Sequence, residues 1–119
     1  MTTSSTSSKY KLLYVEDEVI ISLETAETLR ETFGFDVTLA HTLDAAKRQM
    51  AKQHFTHALL DVNLGRGETT TELAQKLSED GATVVFCTGY SRGEFDGITH
   101  YPVVEKPFRA EELAPHFGH

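Results

Sequence analysis

Leu12-Leu13-Tyr14-Val15-Glu16-Asp17-Glu18 sets four consecutive apolar residues directly against three consecutive acids. A short unbroken apolar run is the pattern of a strand covered on both faces, as in a parallel sheet flanked by helices. Three later runs end in the same way. Asp61 follows Ala58-Leu59-Leu60, Thr88-Gly89 follows Val84-Val85-Phe86-Cys87, and Lys106-Pro107-Phe108 follows Pro102-Val103-Val104. If these runs are neighbouring parallel strands, the carboxylates, the hydroxyl and the ammonium meet on one edge of the sheet, where α/β folds bind their ligands.

The segments between the runs read as helices. Val19, Leu23, Ala26, Leu29 and Phe33 recur at three and four, and Gly34 follows as a cap. Phe35, Val37 and Leu39 alternate with polar residues as a strand does, after which Thr42 caps a helix buried through Leu43, Ala46 and Met50. Thr69 and Glu72 form a capping box for a helix through Leu73, Leu77 and Ser78, closed by Gly81. The remaining strands are expected over 83–87 and 103–105, with a last helix beginning at Ala110–Leu113. Alternation of strand and helix predicts a three-layer α/β/α domain with a five-stranded parallel sheet.

Two stretches depart from this rhythm. Ser91 to His100 holds two glycines and only Phe95 and Ile98 as apolar residues, so the fourth helix is expected to be short or irregular. The last helix meets Pro115 and is expected to stop within about two turns. Residues 1–8 are nearly all Ser and Thr and read as a disordered tail, leaving residues 9–119 as the folded domain.

Composition narrows the function. A chain of 119 residues fits one domain, and a net charge of -7 argues against binding DNA through its phosphates. No apolar run approaches the roughly 20 residues a membrane span needs, and the N-terminal residues lack a signal-peptide pattern. A cytoplasmic protein is expected. The single Cys87 reads as a buried apolar residue of a strand.

Glu16, Asp17 and Asp61 would bring three negative charges together and raise one another's pKa values. A hard divalent cation resolves that conflict. Mg²⁺ suits carboxylate oxygens, a backbone carbonyl (that of Asn63 here) and retained waters, with Mn²⁺ as a substitute. Each acid taken alone is an ordinary solvated strand-end residue, as are Lys106 and Thr88. Pro107 can make a cis bond that turns the Lys106 ammonium over the strand ends. His54 and His57 read as surface or capping side chains rather than a metal pair.

This order and spacing resembles the receiver domain of two-component response regulators, over Lys9 to about Leu113. The resemblance implies a sheet of order 2-1-3-4-5. It further implies that Asp61 accepts a phosphoryl group, Glu16 and Asp17 hold Mg²⁺, Thr88 is the switch hydroxyl and Lys106 contacts the acyl phosphate. Asn63 and Tyr90, two residues beyond Asp61 and Thr88, are the positions that tune phosphoryl lifetime in such domains. Phe86-Cys87-Thr88-Gly89-Tyr90 is similar to the Phe-Ala-Thr-Gly-Gly/Tyr pattern of single-domain receivers that serve HWE-type histidine kinases.

The expected function is therefore that of a single-domain response regulator. It would take phosphate from a sensor histidine kinase and act through protein contact, as a phosphate sink, or as a relay to a histidine phosphotransfer protein or downstream regulator. It would not be an enzyme beyond its own phosphorylation and dephosphorylation. One departure concerns the aromatic residue usually found three positions before the lysine, which is Val103 here, with Tyr101 nearby. Two alternatives remain: a degenerate receiver that only binds partners, and an aspartyl-phosphate phosphatase. The phosphatase would need an acid where Asn63 stands.

Overall fold

Strand and helix alternate through most of the chain in the computed structural model, which describes residues 9–62, 64, 69–89 and 101–117. In chain order the elements are β1 (Lys11–Val15), α1 (Val19–Phe33), β2 (Asp36–Ala40), α2 (Leu43–Lys52), β3 (His57–Asp61), α3 (Thr71–Glu79), β4 (Thr83–Thr88), β5 (Val103–Glu105) and α4 (Ala110–Phe117). The five strands form one sheet of order β2-β1-β3-β4-β5, parallel throughout. The expected α/β architecture and strand order are both present. The expected tail, Asn63, Tyr90, the stretch from Ser91 to His100 and His119 lie outside the described residues.

Period-two alternation splits the core between the two faces of the sheet. Leu13, Val15, Ala58, Leu60, Val84 and Phe86 join Ala46 of α2 and Leu73, Ala74 and Leu77 of α3. Leu12, Tyr14, Leu59, Val85 and Cys87 join Ala26 and Leu29 of α1 and Leu113 and Phe117 of α4. All five residues of β3 are buried, and the three between His57 and Asp61 (Ala58, Leu59 and Leu60) form an unbroken apolar run.

Helix ends follow local chemistry. Thr42 accepts a hydrogen bond from the Ala45 amide at 3.0 Å, the expected cap of α2. Gly34 ends α1 in the left-handed region, at φ 74°, where a side chain would be strained. The capping box expected at Thr69 and Glu72 is absent. Thr70 is the N-cap of α3, and its hydroxyl bonds elsewhere.

The buried stripe of α1 also differs from the expected one, running through Ser22, Ala26 and Leu29. Val19 and Leu23, read as core, are 49% and 55% exposed, beside Ile20 at 75% and Ile21 at 40%. Ser22 tolerates burial because its hydroxyl donates to the Val19 carbonyl at 2.6 Å and lies 3.0 Å from His41 Nε2.

The last helix is short, as expected: its eight residues, about two turns, run through Pro115 to Phe117. Proline forfeits one intrahelical bond. Against that loss, Leu113 and Phe117, four apart on one face, are both buried. Phe117 packs edge-on against Phe33 and Phe35. Its carbonyl meets His57 Nε2 at 3.2 Å, while His57 Nδ1 lies 2.8 Å from Thr56 Oγ1. Of the two expected roles, surface or capping, His57 is buried rather than on the surface and meets the last carbonyl of α4 as a cap does; His54 is exposed.

Because Phe117 closes the core below α1 and α4, Phe117→Ala should lower unfolding free energy by about 3–5 kcal/mol. The check is a reduced denaturant midpoint with an unchanged slope.

Candidate functional site

Register carries four polar residues to one edge in steps. Val15 is level with Leu60, Asp61 with Cys87, and Thr88 with Glu105. Glu16, Asp61, Thr88 and Lys106 therefore stand at or one residue past the carboxyl ends of adjacent strands. Two backbone bonds extend the ladder there: Glu16 N–H donates to Ala40 O at 3.0 Å, and Lys106 N–H donates to Thr88 O at 2.8 Å. The Lys106–Pro107 peptide is cis.

The Lys106 ammonium is the hub of the site. It donates to Glu16 Oε1 at 3.0 Å, to Glu16 Oε2 at 3.3 Å, to Asp61 Oδ2 at 3.1 Å and to Glu18 Oε1 at 3.3 Å. Glu16 and Asp61 are buried, whereas Asp17 and Glu18 are exposed. Glu16 Oε2 also accepts from the Glu18 amide at 3.2 Å, tying the acidic turn to the start of α1. Glu18 was not singled out from the sequence, although it is the third acid of the run.

Burial, then the nearby Asp61 charge, pushes the Glu16 carboxyl up to about 7, against the opposing pull of Lys106. Partial burial works against the charge on Lys106, but its hydrogen bonds and ion pairs with Glu16 and Asp61 outweigh this and raise its pKa. Burial, followed by the Asp61 and Glu16 charges, pushes the Cys87 thiol well up, as suits an inert strand residue.

Glu16, Asp17 and Asp61 each offer a carboxylate oxygen, and these atoms lie within 4.8 Å of one another. Oxygen-only donors with more negative charge than one ammonium can balance fit a hard divalent cation. Asp17, Glu18 and Asp61 border a cleft of about 820 Å³ that extends between α1, at Ile21 and Thr25, and Phe108. Thr88 is buried at the end of β4. A Cβ on Gly89 would stand 3.8 Å from Lys106 Cε, in ordinary contact, so glycine is not sterically required there.

Of the residues singled out from sequence, Glu16, Asp17, Asp61 and Lys106 converge, and Thr88 adjoins them through the backbone of Lys106. Asn63 and Tyr90 lie outside the described residues. Tyr101 packs edge-on against Phe86 at 5.4 Å, so an aromatic ring flanks β4 despite Val103. Thr70, which sequence reading passed over, donates from its hydroxyl to the Asp61 carbonyl at 2.8 Å.

This sheet order and this edge of acids with one lysine define a receiver domain. No protein-family model matches the chain, and no curated protein matches it. Solved structures do. SdrG from Sphingomonas melonis Fr1 is 30% identical, with a TM-score of 0.76 over 90% of this chain and 92% of that one. A response regulator receiver protein from Sinorhizobium medicae WSM419 is 21% identical, with a TM-score of 0.77 over 91% and 90%. A response regulator protein from Burkholderia pseudomallei, solved with a phosphorylated aspartic acid, calcium and citrate, is 22% identical with a TM-score of 0.74. That match covers 92% of this chain, which spans only 66% of the Burkholderia protein. The chain belongs to the response regulator receiver domains.

Between pH 4.5 and about 7 the folded protein holds a proton on Glu16 that the unfolded chain has released. The Glu16 contribution therefore lowers the stability of the metal-free protein as pH rises through that window, then levels off. Denaturation of the wild type and E16Q across this range should show the slope in the wild type and its loss in the variant.

Proposed function

We propose that this chain is a phosphorylatable signalling receiver in which Asp61 takes a phosphoryl group from a sensor histidine kinase. The observation that carries this reading is the buried Asp61 carboxylate held 3.1 Å from the Lys106 ammonium, beside Glu16 and Asp17. An Asp61 oxygen attacks phosphorus, the bond to the donor imidazole breaks, and the imidazole leaves with that bonding pair. The transition state is loose, so alignment and charge neutralisation decide the rate. Lys106 supplies one positive charge and orients the carboxylate.

Glu16, Asp17, Asp61 and the carbonyl of Asn63 would hold Mg²⁺, with Mn²⁺ as a substitute. When bound, that ion supplies the further positive charge that the incoming phosphoryl oxygens require. The fit rests on three carboxylate oxygens gathered within 4.8 Å. Support also comes from relatives, since SdrG is described in a BeF3-activated conformation at 31% identity, and the Burkholderia protein carries a phosphorylated aspartic acid with calcium.

Once formed, the acyl phosphate presents oxygens that the Thr88 hydroxyl can reach by moving inward, which biases the loops beyond β4 and β5. Asn63 and Tyr90 set the lifetime of the phosphoryl group by guarding the path of water. The Phe86–Tyr90 sequence supports an HWE-type kinase as the donor. We read residues 1–8 as a tail, residues 9–119 as the receiver, and the protein as a cytoplasmic regulator. Its output is a contact with a downstream protein, a phosphate sink, or a relay to a histidine phosphotransfer protein.

Incubation with a small phosphodonor and Mg²⁺ should add one phosphoryl group to the intact mass. Chelation of the metal or D61N should abolish the gain; equal labelling of D61N would sink the assignment. Thr88→Ala should still accept the group but lose the phosphorylation-dependent amide shifts of β4 and β5. Retention of those shifts would remove Thr88 from the switch.

A further inference from the structure

Thr70 is fully buried at the N-cap of α3, yet its hydroxyl does not cap the helix. A threonine in that position ordinarily accepts from an amide two or three residues on. Here it donates at 2.8 Å to the backbone carbonyl of Asp61. Asp61 is the last residue of β3, so the peptide that follows it leaves the strand.

That peptide is held from both sides. Val62 N–H donates to Cys87 O at 3.0 Å on one side, and at the next peptide along Thr70 N–H donates to Val62 O at 3.3 Å. The Thr70 hydroxyl completes the clamp at the Asp61 carbonyl. Thr70 in turn is anchored by α3, because its own carbonyl accepts from the Ala74 amide at 3.0 Å.

We propose that Thr70 is a positioning residue for Asp61, whose hydroxyl fixes the Asp61 carbonyl and through it the direction of the Asp61 carboxylate. The proposal rests on the reading of Asp61 as phosphoacceptor. Rotation about the Asp61 backbone swings the carboxylate as a lever, and about 10° displaces its oxygens by roughly 0.5 Å, the tolerance of a preorganised site. In-line attack depends on that placement. The hydroxyl is thus diverted from helix capping to the reacting residue, and Asp61 inherits the rigidity of α3.

The test compares T70S, which keeps the hydroxyl, with T70V and T70A, which remove it. Two quantities are read: the rate of phosphorylation by a small phosphodonor with Mg²⁺, and the Asp61 carbonyl ¹³C shift in metal-free protein. T70S should stay within about twofold of the wild type, whereas T70V and T70A should be about tenfold slower at saturating phosphodonor and Mg²⁺. Their Asp61 carbonyl resonance should move upfield as the hydrogen bond is lost, and T70S should restore it. Equal rates in T70V and wild type overturn the proposal, as does a T70S variant as slow as T70V, which would assign the effect to methyl packing. A wild-type protein that takes no phosphoryl group overturns the phosphoacceptor reading itself.

Discussion

Carboxylates gathered at the edge of a low-dielectric sheet repel one another, and the Lys106 ammonium is what makes their company tolerable. Parallel strands joined by crossovers on one hand bring every carboxyl end to the same edge. The fold therefore delivers Glu16 and Asp61 to one place whether or not their charges suit each other. A buried carboxylate without a positive partner is strongly unfavourable. Lys106 reaches both acids and Glu18 from the far end of the sheet, across β3 and β4. That partial balance comes from the tertiary fold, between residues 90 and 45 positions apart in sequence.

Much of this was legible because parallel strands buried on two faces must be written as apolar runs. The polar residue that ends each run then marks the sheet edge. Side-chain periodicity was a weaker guide wherever a polar residue had found a partner. Ser22 took a buried place on α1 that spacing had assigned to Leu23, since its hydroxyl is satisfied by Val19 and His41. His57 entered the core on the same terms. Thr70 was unreadable because its sequence neighbourhood, Thr69-Thr70-Thr71-Glu72, favours a cap, while the carbonyl it serves lies nine residues away. Pro115 was a fair guide: α4 keeps to eight residues, about two turns, and the burial of Phe117 offsets the one missing hydrogen bond.

The departure at Val103 also acquires a structural context. Thr88 and Phe86 share a face of β4, being two residues apart, and the ring of Tyr101 stands edge-on to Phe86. The threonine at the site edge thus adjoins an aromatic pair at the start of β5, although the ring arrives from two positions earlier than the family pattern places it. Thr88 O also receives the Lys106 amide, so the hydroxyl-bearing residue and the lysine share one backbone contact.

The exposed side of α1 sets the thermodynamics of whatever covers it. Val19, Ile20, Ile21 and Leu23 are exposed apolar side chains of its first turns, and Ile21 lines the acidic cleft. Removing such side chains from water carries a negative heat-capacity change, and its driving force weakens on cooling. Attraction to the acids beside it is screened as salt rises. An association that used both would thus split along two experimental axes, temperature reporting on the helix face and ionic strength on the carboxylates.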